Sequence, residues 1–133
     1  MSFTSVLIRE PKSRDDLTRA LLALTSNVAE GVRYIASGDE LSEAPQLVQV
    51  ITMSLRGEAQ YALEIYWSGL CDLADEAVAI YLAIAIQDQV IFSDDTPDPF
   101  RWLMATSSGL VQVIDLDVER LDDEGFVAYT IEP

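Results

Sequence analysis

The chain has 133 residues, half of them hydrophobic and eleven of them aromatic, which is length for one domain and apolar content enough for a core, and excludes a disordered segment. Its 23 acidic residues against 8 basic ones give a net charge of −15, a field that repels nucleic acid and anionic membranes and attracts basic proteins. Histidine is absent, which excludes Ser-His and Cys-His catalysis and the usual zinc sites.

Residues 1–10 lack the basic start and long apolar run of an export signal. They carry a first strand instead, at 5–10, around Val6-Leu7-Ile8 and ended by Pro11. Ser13 then reads as a helix N-cap, with Asp15 and Asp16 in the first turn. Leu17, Ala20, Leu21 and Leu24 fall on one face of a helix that runs to about Ser26. A short strand is expected at 32–36, an exposed loop at 37–45, and two strands at 46–55 and 61–67 joined by a hairpin turn at 56–58. In the first of these two strands Val48, Val50 and Thr52 share a face.

Gly69 precedes a second helix, with Asp72 as N-cap and Asp75 and Glu76 suited to its positive N-terminus, extending to about Asp88. Its segment 77–86 is the longest apolar run, ten residues, about half of the ~20 needed to span a bilayer. That run predicts a buried helix covered on more than one face, with Ile84 in the core. A short strand at 89–92, a turn at 93–99 broken by Pro97 and Pro99, and strands at 101–106 and 110–118 around Gly109 follow. Residues 121–125 read as an acidic turn, and a last strand is expected at 126–131. The pattern gives an α+β class: a single domain, 1–133, with a mainly antiparallel or mixed sheet and two helices packed on it.

No constellation for catalysis emerges, and the chain is read as a binding protein, not an enzyme. The six glycines are scattered, so no phosphate loop exists. Asp94, Asp95 and Asp98 are oxygen ligands of the type that suits Mg²⁺ or Ca²⁺. Pro97 and Pro99 prevent a helix that would align them, and neither the central glycine nor the terminal Glu of a calcium loop is present. A turn whose Asp side chains bond nearby amides is the expectation, with no metal and no cofactor. Asp122, Asp123 and Glu124 form a second acidic run, and both clusters are candidates for partner contact. Trp67 and Trp102 suit either a core or an interface anchor. The single cysteine, Cys71, cannot form an intrachain disulfide and fits a reducing, cytoplasmic setting as a small buried or half-buried thiol.

The charge is unevenly spread. Residues 1–70 hold 9 acids and 6 bases, while residues 71–133 hold 14 acids and 2 bases. Within that second half, Val90-Ile91-Phe92, Ser93-Asp94-Asp95, Asp98-Pro99-Phe100-Arg101-Trp102-Leu103, the glycine turn at Gly109 and the acidic tail resemble small bacterial immunity proteins of polymorphic and contact-dependent toxin systems. Those proteins show a Ser-Asp-Asp turn, an Asn-Pro-aromatic step and a Trp before a strand; here Asp98 stands in place of the Asn. The resemblance covers about residues 71–125. It implies tight binding and neutralisation of a cognate toxin in the cell that makes it, and the charge independently suits a basic toxin such as a nuclease. The alternative is another acidic interaction module, such as a phage-encoded inhibitor that mimics nucleic acid.

Overall fold

The computed structural model describes residues 3–43, 47–70 and 73–132. In chain order the elements are β1 (Phe3–Ile8), α1 (Arg14–Leu24), β2 (Gly31–Ile35), a 3₁₀ turn (Gly38–Glu40), β3 (Leu47–Ser54), β4 (Arg56–Gly57), β5 (Tyr61–Tyr66), α2 (Asp75–Ile86), β6 (Val90–Ser93), β7 (Arg101–Ala105), β8 (Val111–Leu116), α3 (Val118–Glu124), β9 (Phe126–Val127) and β10 (Tyr129–Ile131). Eight strands form one sheet in the order β10-β8-β7-β6-β1-β5-β3-β2, and β4 pairs with β9 apart from it. The large sheet is mixed: β2 runs parallel to β3, and the other neighbours are antiparallel. The α+β class is therefore the one the sequence predicts.

Strand alternation divides the apolar side chains between two cores. On one face Val6, Ile8, Val48, Val50, Leu63, Ile65, Val90 and Phe92 pack beneath α1 and α2. α1 starts where Ser13 Oγ accepts the Asp16 N–H at 3.1 Å, and it buries Leu17, Ala20, Leu21 and Leu24. Trp67 belongs to this core as well, with its indole N–H donating to Thr4 Oγ1 at 2.9 Å. On the opposite face Leu7, Ile91, Met104, Ile114, Leu116 and Val127 form a smaller core, with Leu121, Val118 and the half-buried Trp102 packed against it.

Four expectations need correction. α2 is covered along one face only: Val78, Ala79, Leu82 and Ala83 are buried, but Tyr81 is 38% and Ile84 46% exposed. α1 and the sheet approach the helix from one side, and Ile84 instead packs along the turn at Gly109. Residues 121–125 are not a turn. The strand before them stops at Leu116, Asp117 Oδ1 caps a helix by accepting the Arg120 N–H at 3.1 Å, and Gly125 ends it at φ 61°. This third helix lies on the face opposite α1 and α2, because Val118 and Leu121 bury themselves in the smaller core. β3 and β5 do pair as a hairpin, with Ser54 opposite Tyr61, but their connection is a longer loop that carries β4 out to β9. Finally, the N-cap of α2 is Ala74 and not the expected Asp72, since the helix starts only at Asp75; Asp72, the thiol Cys71 and residues 44–46, at the end of the expected 37–45 loop, lie outside the described residues.

Gly57, in β4, adopts φ 93°, and a Cβ there would collide with the Val127 carbonyl oxygen and crowd the Phe126 ring. A Gly57→Ala protein therefore carries both left-handed strain and a broken β4–β9 pair, and it should lose at least ~2 kcal/mol in urea unfolding. Exposure on α2 makes a paired prediction. Leu82→Asp places an unpaired charge in the core and should leave no folded protein, a cost above about 4 kcal/mol. Ile84→Asp, on the open side, should fold with a melting temperature only a few degrees lower; equal damage from both would show that the outer face of α2 is packed.

Candidate functional site

With a surplus of carboxylates, the electrostatic character of the surface depends on where the eight cations go. Arg9 Nε and Lys12 Nζ each lie 2.8 Å from the carboxylate of Asp88. Arg14 stacks over the Tyr34 ring and Arg120 over the Phe126 ring. Arg19 faces Asp16 at 3.5 Å, Arg33 donates to the Glu40 carbonyl at 3.1 Å, and Arg56 to the Glu124 carbonyl at 2.6 Å. Arg101 meets Asp94 at 2.6 Å, and Arg120 also reaches Glu124 at 3.4 Å. Several of these contacts are exposed and worth little as stability. Together, though, they turn every cation toward the chain's own groups. The described carboxylates left in no ion pair include Asp95, Asp98, Asp115, Glu119, Asp122 and Asp123, all exposed.

The two predicted clusters occupy different places. Asp94, Asp95 and Asp98 lie on the loop between β6 and β7, at the end of the sheet where β1 begins. Two of the three carboxylates serve that loop. Asp94 holds Arg101, and Asp98 Oδ1 accepts the Phe100 N–H at 2.9 Å. Trp102 closes the turn by donating to the Pro99 carbonyl at 3.0 Å. The Ser-Asp-Asp and Pro-Phe-Arg-Trp residues thus bind one another, which leaves Asp95, at φ 55°, as the free member. α3 starts from the same end of the sheet, where the Leu116 N–H donates to the Phe100 carbonyl at 2.7 Å. It carries Asp122, Asp123 and Glu124 away along the second face toward Arg56. Asp122 and Asp123 are exposed; Glu124 is engaged by Arg120.

Two carboxylates that matter here were not singled out by sequence as site residues. Asp75, in the first turn of α2, has its carboxyl pushed above the usual range, first by burial and then by the charge of Asp95, against the pull of the Thr4 hydroxyl. It extends the acidic end of the sheet beyond Asp95. Asp88 is buried at 2% exposure. Burial alone would raise its carboxyl, but the Lys12 ammonium, the Gln89 N–H at 2.8 Å and the Arg9 guanidinium outweigh that and hold it below the usual carboxylate range. The signal for Asp88 was its place right after a helix end, and its role needed the distant Arg9 and Lys12 to be seen beside it. No group of three or more Asp, Glu, Cys or His side chains is arranged to hold a metal ion among the described residues. No helix there is long and apolar enough to cross a membrane.

A depressed carboxyl contributes stability that is complete above the unfolded-state value near pH 4 and is lost as pH falls through the lower folded value. Asp88→Asn should therefore cost about 2–3 kcal/mol at pH 7, with Lys12 and Arg9 left without their counter-charge. The difference between the parent protein and Asp88→Asn, followed by urea melts, should shrink as pH drops from 5 toward 3. A gap that stays constant over that range would mean the carboxylate charge is not what stabilises the corner. Comparison with models of protein families, with curated proteins and with solved structures returns no match to this chain.

Proposed function

We propose that this chain is an immunity-type binding protein, which captures a basic toxin domain and neutralises it in the cell that makes it. The observation that carries this reading is the disposition of charge. All eight cations bind the chain's own groups, so the carboxylates left without an ion pair, among them those of α3, β8 and the 94–98 loop, keep the surface strongly negative. Such a field accelerates encounter with a cationic surface and rejects anionic ones. The resemblance of residues 71–125 to immunity proteins supports the same reading, and the mutual bonding of Asp94, Asp98, Arg101 and Trp102 suits a motif that shapes the fold and leaves contacts to the surface around it.

The test is co-expression with the protein encoded directly upstream of this chain. Growth should be arrested by that protein alone and restored when both are made, and the two should elute together. The association rate should fall by roughly ten-fold or more between low salt and 0.5 M salt. Changing Asp122, Asp123 and Glu124 together to Asn, Asn and Gln should lower the low-salt rate by a few-fold while the protein stays folded. Absence of both protection and complex overturns the proposal. Inhibition of unrelated nucleases instead would favour the nucleic-acid mimic.

A further inference from the structure

The second face of the sheet is only half covered. α3 and β9 close it over β6, β7 and β8. At the far side, residues 36–43 are fastened over β3 by the buried Gln49, whose amide accepts the Ser42 N–H at 3.0 Å and donates to the Ser42 carbonyl at 2.8 Å. Between these two covers the β1, β5 and β3 strands lie open, and a cavity of about 450 Å³ runs beside α3, lined by Leu7, Ile51, Met53, Glu64, Leu121 and Asp122. Met53 is 57% exposed, and at the other end of the floor, past Ile51 and Glu64, lie the stacked Phe3 and Tyr66 rings, with Phe3 50% exposed.

Glu64 is the exception in this floor. Its cross-strand neighbours are Ser5 on β1 and Ile51 on β3, neither of which can balance its charge. Its one hydrogen bond is from the Tyr66 hydroxyl at 3.3 Å. Asp122, on the α3 wall, is in no ion pair among the described residues, and all eight cations are engaged elsewhere. A carboxylate between apolar side chains acts at lower effective dielectric than one on open surface, so a cation brought to it gains more.

We propose that this groove seats an extended basic segment of a protein partner, with Arg or Lys side chains on Glu64 and Asp122 and apolar ones on Ile51, Met53 and Leu121. α3 begins where β8 ends and finishes beside Arg56, so it lies lengthwise on the face and the groove runs with the strands. An extended segment in that direction presents a side chain to the floor at every second residue. A second copy of this chain would bring its own −15 charge against the same carboxylates. The inference rests on the reading of this chain as a binder of basic protein and names the surface it uses.

The test needs no natural partner. Of the three methionines, Met53 lines the groove and Met104 is buried beside it, so methyl-¹³C-methionine labelling gives a reporter and a control. The peptide Ac-Leu-Thr-Arg-Thr-Leu-NH₂, which puts Leu, Arg and Leu on one face, should shift the Met53 methyl with saturation below about 1 mM, a weak but specific affinity, and leave Met104 in place. The acidic counterpart Ac-Leu-Thr-Glu-Thr-Leu-NH₂ should do nothing. Glu64→Gln should weaken the basic peptide by roughly five-fold or more, while Glu30→Gln, on the exposed segment before β2, should not change it. An unmoved Met53, an equal response to both peptides, or indifference to Glu64→Gln in a folded protein overturns the inference. A Met53 shift on dilution alone would assign the groove to a second copy and overturn it too. Failure of the upstream protein to bind would sink the proposed function without touching this result, and binding that ignores Glu64→Gln would sink the groove alone.

Discussion

The carboxylate of Asp88 is where the two ends of the helical layer are held together. It sits just past the end of α2 and collects Arg9, Lys12 and the backbone N–H groups of Glu10 and Gln89. Arg9, Glu10 and Lys12 belong to the turn that leads from β1 into α1. One side chain therefore fixes the exit of the central strand, the entry of α1 and the exit of α2, with the Arg9 N–H donating to the Gln89 carbonyl beside it. Without it, the αL turn at Gln87 and the Pro11 turn would lose the ion pairs that join them. A buried charge is tolerated here because it is paired twice and hydrogen-bonded as well.

The same arrangement governs the surface. Eight cations against 23 acids leave the chain strongly negative wherever they sit. Two are spent on Asp88, Arg19, Arg101 and Arg120 each meet one further acid, Arg14 and Arg120 stack on rings, and Arg33 and Arg56 bind backbone carbonyls. What remains outside is a layer of carboxylates that constrains the choice of partner by sign before any shape is considered. The second sheet face adds shape, because the covers over it are a short helix and a loop pinned by Gln49, and neither extends across β1, β5 and β3.

Much of the framework is legible in the residues. Ser13 with its leucine face, the β-branched runs at β1, β3 and β6, and the prolines of the 94–99 loop each carry a local signal strong enough to place an element. α3 escaped because its seven residues are mostly charged; its cap at Asp117 and its buried Leu121 are visible only against a core that the sequence does not draw. The apolar run of α2 misled in the opposite way. Alanines made it look buried all round, where one stripe suffices. At the site, Asp122 and Asp123 could be found by charge alone. Glu64 could not, since alternation along β5 says only that it opposes Leu63 and Ile65, and its importance comes from Ser5 and Ile51 across the ladder.

The place of β1 in the sheet has a consequence for the order of events during synthesis. It leaves the ribosome well before both of its neighbours, β5 and β6, which lie far along the chain from it. Until Val90–Ser93 has been made, at a rate of about 5–20 residues per second, Val6-Leu7-Ile8 has at least one bare edge for a period on the order of ten seconds. Unpaired apolar strands of this kind are where nascent chains associate with one another. The residues that follow, Arg9, Glu10, Pro11 and Lys12, are the types that interrupt such association. The corner that later closes around Asp88 thus also guards the strand while it waits.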